Sequence, residues 1–151
     1  MSERIRRPVA LFVVSVLLVA LTAVAAWAAP PGAVVPGCNA TFGDDLIRLG
    51  PGNDFCDALG GDDDLFGDQG EDNLIGAEHS DKVDGGNGKD TIDLAQFDTA
   101  GSHDEGLGGN GNDTVKAKDG NHDVIDCGNG KDTVFYDQGI DSITKCEVLN
   151  S

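Results

Sequence analysis

Eleven aspartates stand in file along the chain. Asp45, Asp54, Asp63, Asp72, Asp81 and Asp90 are nine residues apart, and Asp104, Asp113, Asp123, Asp132 and Asp141 follow at intervals of 14, 9, 10, 9 and 9. A carboxylate that returns at fixed intervals suits ligand chemistry better than catalysis, because an active site needs its acid once. Ionised carboxylates are hard oxygen donors, and some hard cations collect six to eight such oxygens at about 2.3–2.6 Å. Two residues before each aspartate stands Gly43, Gly52, Gly61, Gly70, Gly88, Gly111, Gly130 or Gly139, with His79, Ser102 and Asn121 as departures. Glycine there lets the backbone take positive φ and curl its carbonyl oxygens inward, adding neutral donors to the acid.

The elements that must position these donors are read from the third column. Two residues after the aspartates come Ile47, Cys56, Leu65, Leu74, Val83, Ile92, Val115, Ile125, Val134 and Ile143. Alternation such as Asp90-Thr91-Ile92-Asp93 turns Ile92 to one face and Asp93 to the other, the period of a short strand, so Asp93 is expected to face solvent. Each nine-residue word is therefore a turn followed by a strand. The words are plainest in GGNGKDTID (85–93), GGNGNDTVK (108–116) and CGNGKDTVF (127–135). The phase slips by five residues around LAQFD (94–98) and by one near Ala117. An acidic, glycine-rich disordered segment is the rival reading, but disorder has no reason to hold three columns in phase.

These words resemble the G-G-x-G-x-D-x-U-x nonapeptide of the RTX, or hemolysin-type, calcium-binding repeat proteins, over roughly residues 40–144. The resemblance implies an all-β chain folded as a right-handed parallel β-roll, a β-solenoid with two words per coil and several Ca2+ ions between stacked turns. The ligands it implies are Asp45, Asp54, Asp63, Asp72, Asp81, Asp90, Asp113, Asp123, Asp132 and Asp141, with Gly86, Gly88, Gly109, Gly111, Gly128 and Gly130 supplying carbonyls. Words two apart stack, pairing Asp45 with Asp63, Asp54 with Asp72, Asp63 with Asp81, Asp72 with Asp90, Asp113 with Asp132 and Asp123 with Asp141. Calcium is expected to be weak or absent beside GAEHSDKVD (76–84), where His79 replaces a turn glycine, and beside TAGSHDEGL (99–107), where Gly106 replaces the buried aliphatic. With two words per coil, Cys38 and Cys56 lie 18 residues and one coil apart, and Cys127 and Cys146 lie 19 apart. Both spacings allow a disulfide, one at each end of the array, where a terminal coil has a single neighbour.

Composition bounds the rest. Acids outnumber bases by 27 to 10 and only 5% of residues are aromatic, so nucleic acid and anionic lipid are excluded as partners and calcium ions are favoured. Arg4, Arg6 and Arg7, an apolar run from Val9 to Ala26 and the exit AWAAPPG read as a signal peptide cut after Ala28, or after Ala29. An uncleaved membrane anchor is the alternative. Cleavage removes three Arg and one Glu, a net +2, and takes the charge from −17 to −19. The expected organisation is a signal peptide at 1–28, a linker and N-terminal cap at 29–39, repeats at 40–144 and a C-terminal cap at 145–151. His79, His103 and His122 occur singly, without H-E-x-x-H, so no zinc site is indicated; G-x-S-x-G is absent as well, and no enzyme is expected. The expectation is a secreted, extracellular, monomeric calcium-binding protein. An adhesive or structural surface element in which calcium only rigidifies the chain is the alternative, with Phe97, Phe135 and Tyr136 as its scattered aromatic candidates.

Overall fold

The structure is a computed structural model that describes residues 34–36 and 38–151. The signal peptide at 1–28, and the membrane anchor weighed against it, lie outside the described residues. Among the described residues every regular element is a short strand, and every pairing between strands is parallel. The chain is a β-solenoid of about six turns, as the repeat implied.

One sheet stacks Val34–Pro36, Leu46–Arg48, Asp64–Phe66, Lys82–Asp84, Glu105–Leu107, Val124–Asp126 and Ser142–Thr144. The other stacks Phe55–Asp57, Asn73–Ile75, Thr91–Asp93, Thr114–Ala117, Thr133–Tyr136 and Val148–Asn150. Successive words thus alternate between two sheets, and words two apart become neighbours. A three-residue strand projects one side chain inward, and only the strands above and below can cover it. Ile47 lies opposite Leu65 and Leu65 opposite Val83 in the first sheet. Cys56, Leu74, Ile92, Val115 and Val134 form the matching column in the second. All of these side chains are fully buried, and together they are most of the core.

The five-residue slip has a structural purpose that the repeat does not reveal. Gly106 occupies an inward position between Val83 and Ile125 and brings no side chain to it. Leu94, the first residue of the insert, is fully buried, and a Cβ built on Gly106 would sit 3.0 Å from its Cδ1. The insert therefore supplies the aliphatic group that its neighbouring word lacks. The one-residue slip behaves similarly, since Ala117 extends its strand by a residue and is also fully buried.

Cys38–Cys56 and Cys127–Cys146 are bonded, with Cα atoms 5.1 and 5.2 Å apart, the expected separation for residues stacked one strand apart. Tyr136 packs against the core and so is not part of an exposed aromatic surface. If Leu94 fills the gap beside Gly106, Leu94→Ala should lower stability by about 2–5 kcal/mol, as for other large-to-small core changes. Urea unfolding at saturating calcium measures it, and a loss near zero would mean that the insert is not part of the core.

Candidate metal centre

The turns form two edges. The first edge leads into the first sheet and carries Asp45, Asp63, Asp81, Asp104, Asp123 and Asp141. The second leads into the second sheet and carries Asp54, Asp72, Asp90, Asp113 and Asp132. All three of the plainest words fall on the second edge, where Asn87–Gly88, Asn110–Gly111 and Asn129–Gly130 pair into a small sheet of their own. Nothing in one nonapeptide says which edge it will occupy; alternation of words decides it.

On both edges the aspartates are joined by one repeated bond. Oδ1 of each accepts the backbone N–H of the aspartate one coil earlier: Asp45 N–H to Asp63 at 2.7 Å, Asp63 to Asp81 at 2.9 Å, and Asp72 to Asp90 at 2.8 Å. The ladder continues across the five-residue slip on both edges, from Asp81 to Asp104 and from Asp90 to Asp113 at 2.8 Å each. Asp104 to Asp123, Asp113 to Asp132 and Asp123 to Asp141 extend it at 3.0, 2.8 and 3.1 Å. On the second edge Glu147 terminates it, accepting the N–H of Asp132 at 2.8 Å. All the stacked pairs expected from the repeat are present. Asp104, omitted from the expected ligands because its word is irregular, belongs to the ladder as fully as the rest, and its place in the file was the available signal.

The second carboxylate oxygen is left over. Ten buried side-chain oxygens among the described residues have no hydrogen-bond partner, and nine are Oδ2 of Asp54, Asp63, Asp72, Asp81, Asp90, Asp104, Asp113, Asp123 and Asp132. The two end members differ: Oδ2 of Asp45 accepts from Thr41 at 2.7 and 2.8 Å, and Oδ2 of Asp141 from the Asp137 N–H at 2.7 Å. A buried acceptor without a donor is costly, and a column of them one strand apart adds mutual repulsion if ionised.

Glycine keeps space open beside these oxygens. A Cβ on Gly67 would lie 2.5 Å from Asp72 Oδ2 and 2.6 Å from the Gly85 carbonyl; one on Gly85 would lie 2.7 Å from Asp90 Oδ2 and 2.8 Å from the Gly108 carbonyl. Each notch is thus bordered by a free carboxylate oxygen from its own word and a backbone oxygen from the next coil, a donor set of hard oxygens that fits calcium. These first glycines were not among the expected ligands. Of those that were, Gly86 and Gly109 direct their carbonyls to the N–H groups of Asn110 and Asn129 at 2.8 Å each. Gly88, Gly111 and Gly130 have φ of 147–152°, and a side chain on Gly111 or Gly130 would overlap the carbonyl of the glycine one coil before. Of the departures, His79 keeps the bend at a φ of 84°, whereas Ser102 and Asn121 do not take positive φ; Leu59 and Ala77, where an intact word has its second glycine, hold φ of 74° and 79°. Asp93 points away from the core but does not face solvent as expected: Lys116 covers it through an ion pair of 2.9 Å and leaves its side chain 13% exposed.

Burial raises the carboxyls in the absence of a cation. It pushes Asp81 and Asp104 up to about 8, Asp123 to about 7, and Asp63 and Asp113 to about 6. The ladder N–H groups work against this shift, and the neighbouring aspartates reinforce it.

The profile of the RTX calcium-binding nonapeptide repeat (4 copies) matches residues 39–65, 57–92 and 107–143, more than half of the chain, and skips the insert and the word of Gly106. No curated protein and no solved structure matches the chain.

The raised carboxyls dictate how the metal-free chain responds to acid. Because their folded values exceed the ordinary value of 3.8, the folded state binds more protons than the unfolded state between pH 4 and 8. Their favourable contribution is complete below about 3.8 and is lost as pH rises through 6 to 8. In chelator, β-structure by circular dichroism should therefore be greater at pH 5 than at pH 8.5. A β-signal that grows with pH in chelator would contradict the assigned burial.

Proposed function

The chain belongs to the RTX calcium-binding nonapeptide repeat family, and from that premise we propose that it is a secreted calcium-binding protein whose solenoid orders and stiffens when Ca2+ neutralises its aspartate columns. The observation that carries this reading is the run of buried, partnerless Oδ2 atoms beside glycine notches. Asp54, Asp72, Asp90, Asp113 and Asp132 on the second edge are the proposed principal ligands, with Asp63, Asp81 and Asp123 on the first. Carbonyls of the turn glycines, among them Gly86, Gly88, Gly109, Gly111, Gly128 and Gly130, complete the donor set. The ion supplies positive charge where each coil would otherwise bury a carboxylate beside another.

Repeats of this family are generally structural or binding elements rather than catalytic ones, and a ligand set repeated along a solenoid fits binding. Proteins with these repeats are typically extracellular, and two disulfides point to an oxidising compartment. The basic, apolar and small-residue succession over residues 1–28 supports export. Nothing in the sheets or the charge of −17 favours a polyanionic partner.

Two measurements test the reading. Circular dichroism should show little β-structure in chelator at neutral pH and a gain at millimolar calcium; identical spectra would defeat metal-coupled folding. Calcium titration of Asp90→Ala and Asp93→Ala then separates geometry from charge, since both remove one negative charge. The first should weaken a site by about tenfold or more. The second breaks a half-covered ion pair with Lys116 on the outer face of the strand, away from the notches, and should change affinity by an amount equivalent to less than about 1 kcal/mol. Equal losses would leave a diffuse cation atmosphere as the explanation.

A further inference from the structure

The word TAGSHDEGL breaks the repeat, yet three carboxylates converge beside it. Asp98 closes the inserted stretch, Asp104 belongs to the first-edge ladder, and Asp119 stands where an intact word has its second glycine. One carboxylate oxygen from each of the three lies within 4.8 Å of the other two. Two oxygens that share one calcium ion at about 2.4 Å can be separated by at most about 4.8 Å, so the three fit a single coordination shell.

The arrangement is built and has an opening. Asp104 is only 2% exposed; its Oδ1 is occupied by the N–H of Asp81 at 2.8 Å, and its Oδ2 is buried without a partner. Oδ1 of Asp119 accepts the Asn121 N–H at 2.7 Å, and its Oδ2 is likewise buried and partnerless. Asp98 is held on Oδ1 by the Thr99 N–H at 2.6 Å and on Oδ2 by Asn121 Nδ2 at 2.8 Å and the Ser102 hydroxyl. None of the ion pairs among the described residues involves these three carboxylates. Two free, buried oxygens thus converge on a third, fixed carboxylate with no cationic side chain beside them.

We propose that Asp98, Asp104 and Asp119 form an additional calcium site, built from side-chain carboxylates in place of the glycine carbonyls of the intact words. All three donors are hard oxygens, which favours calcium over zinc or copper. This site rests on the calcium-binding reading above for its ion and not for its ligands. It reverses the expectation that calcium is weak or absent beside this word.

The test counts ions. Calcium bound per chain at saturation, by equilibrium dialysis, is compared between the unaltered chain and Asp98→Asn/Asp119→Asn, with circular dichroism in calcium as the check on folding. Asp64→Asn/Glu78→Gln, at two exposed positions, is the control of equal charge. The double variant should bind one ion fewer while the remaining sites stay within threefold in affinity, and the control should lose none. If the double variant fails to fold, Asp98→Asn alone, outside every strand, should weaken one site by about tenfold or more. An unchanged ion count and unchanged affinities in a folded variant would overturn this site and leave the general calcium reading intact. An unaltered chain that binds no calcium would overturn both.

Discussion

The structure depends on a single hydrogen bond repeated from coil to coil: an aspartate Oδ1 receiving the backbone N–H of the aspartate one coil earlier. The bond satisfies an N–H that the tight turn leaves outside the strand ladder, and it fixes the carboxylate's orientation. Orientation is the important consequence. With Oδ1 committed, Oδ2 points into the turn, and the same requirement in each coil produces a column of free oxygens. Fold and binding chemistry are therefore two uses of one side chain. The residue that joins the coils is the residue that makes them repel unless a cation is present.

That conflict explains why so small a core suffices. Each coil buries about one aliphatic group per sheet, and with few large aromatic residues the apolar contribution per coil is modest. Hydrophobic stacking sets the register, since Leu65 must sit between Ile47 and Val83 to be covered. The ionic columns then govern whether the stacked form prevails. Acid and calcium act on the same oxygens, one by adding a proton and the other by replacing it.

Much of this was legible in the sequence because the repeat writes each structural role at a fixed position. Asp90, Gly88 and Ile92 declare ligand, bend and core within five residues, and the disulfides follow once a coil is taken as two words. What could not be read arises where the period fails. Leu94 filling the space beside Gly106 is a contact between a residue outside the repeat and one that looks like a defect in it. Asp98 and Asp119 meet across a coil boundary, and Asp104 was set aside because its word is irregular, although its backbone keeps the ladder. Asp93 was read as solvated because its covering partner, Lys116, lies 23 residues away. Spacing reveals columns, and it does not reveal the neighbours that one column lends another.

The two disulfides decide how the molecule would yield to a pull. Tension applied at the ends of the chain passes directly through Cys38–Cys56 and Cys127–Cys146, so the residues enclosed by each bridge cannot be drawn out. Between the two bridges, the stretch from Cys56 to Cys127 is free to lengthen, and it contains most of the orphaned oxygens together with the insert. The extensible length between the bridges is therefore set covalently, while the force needed to extend it depends on how the charge of its aspartate columns is offset. That part of the solenoid is a short tether clamped at either side, with a middle whose stiffness follows its electrostatics.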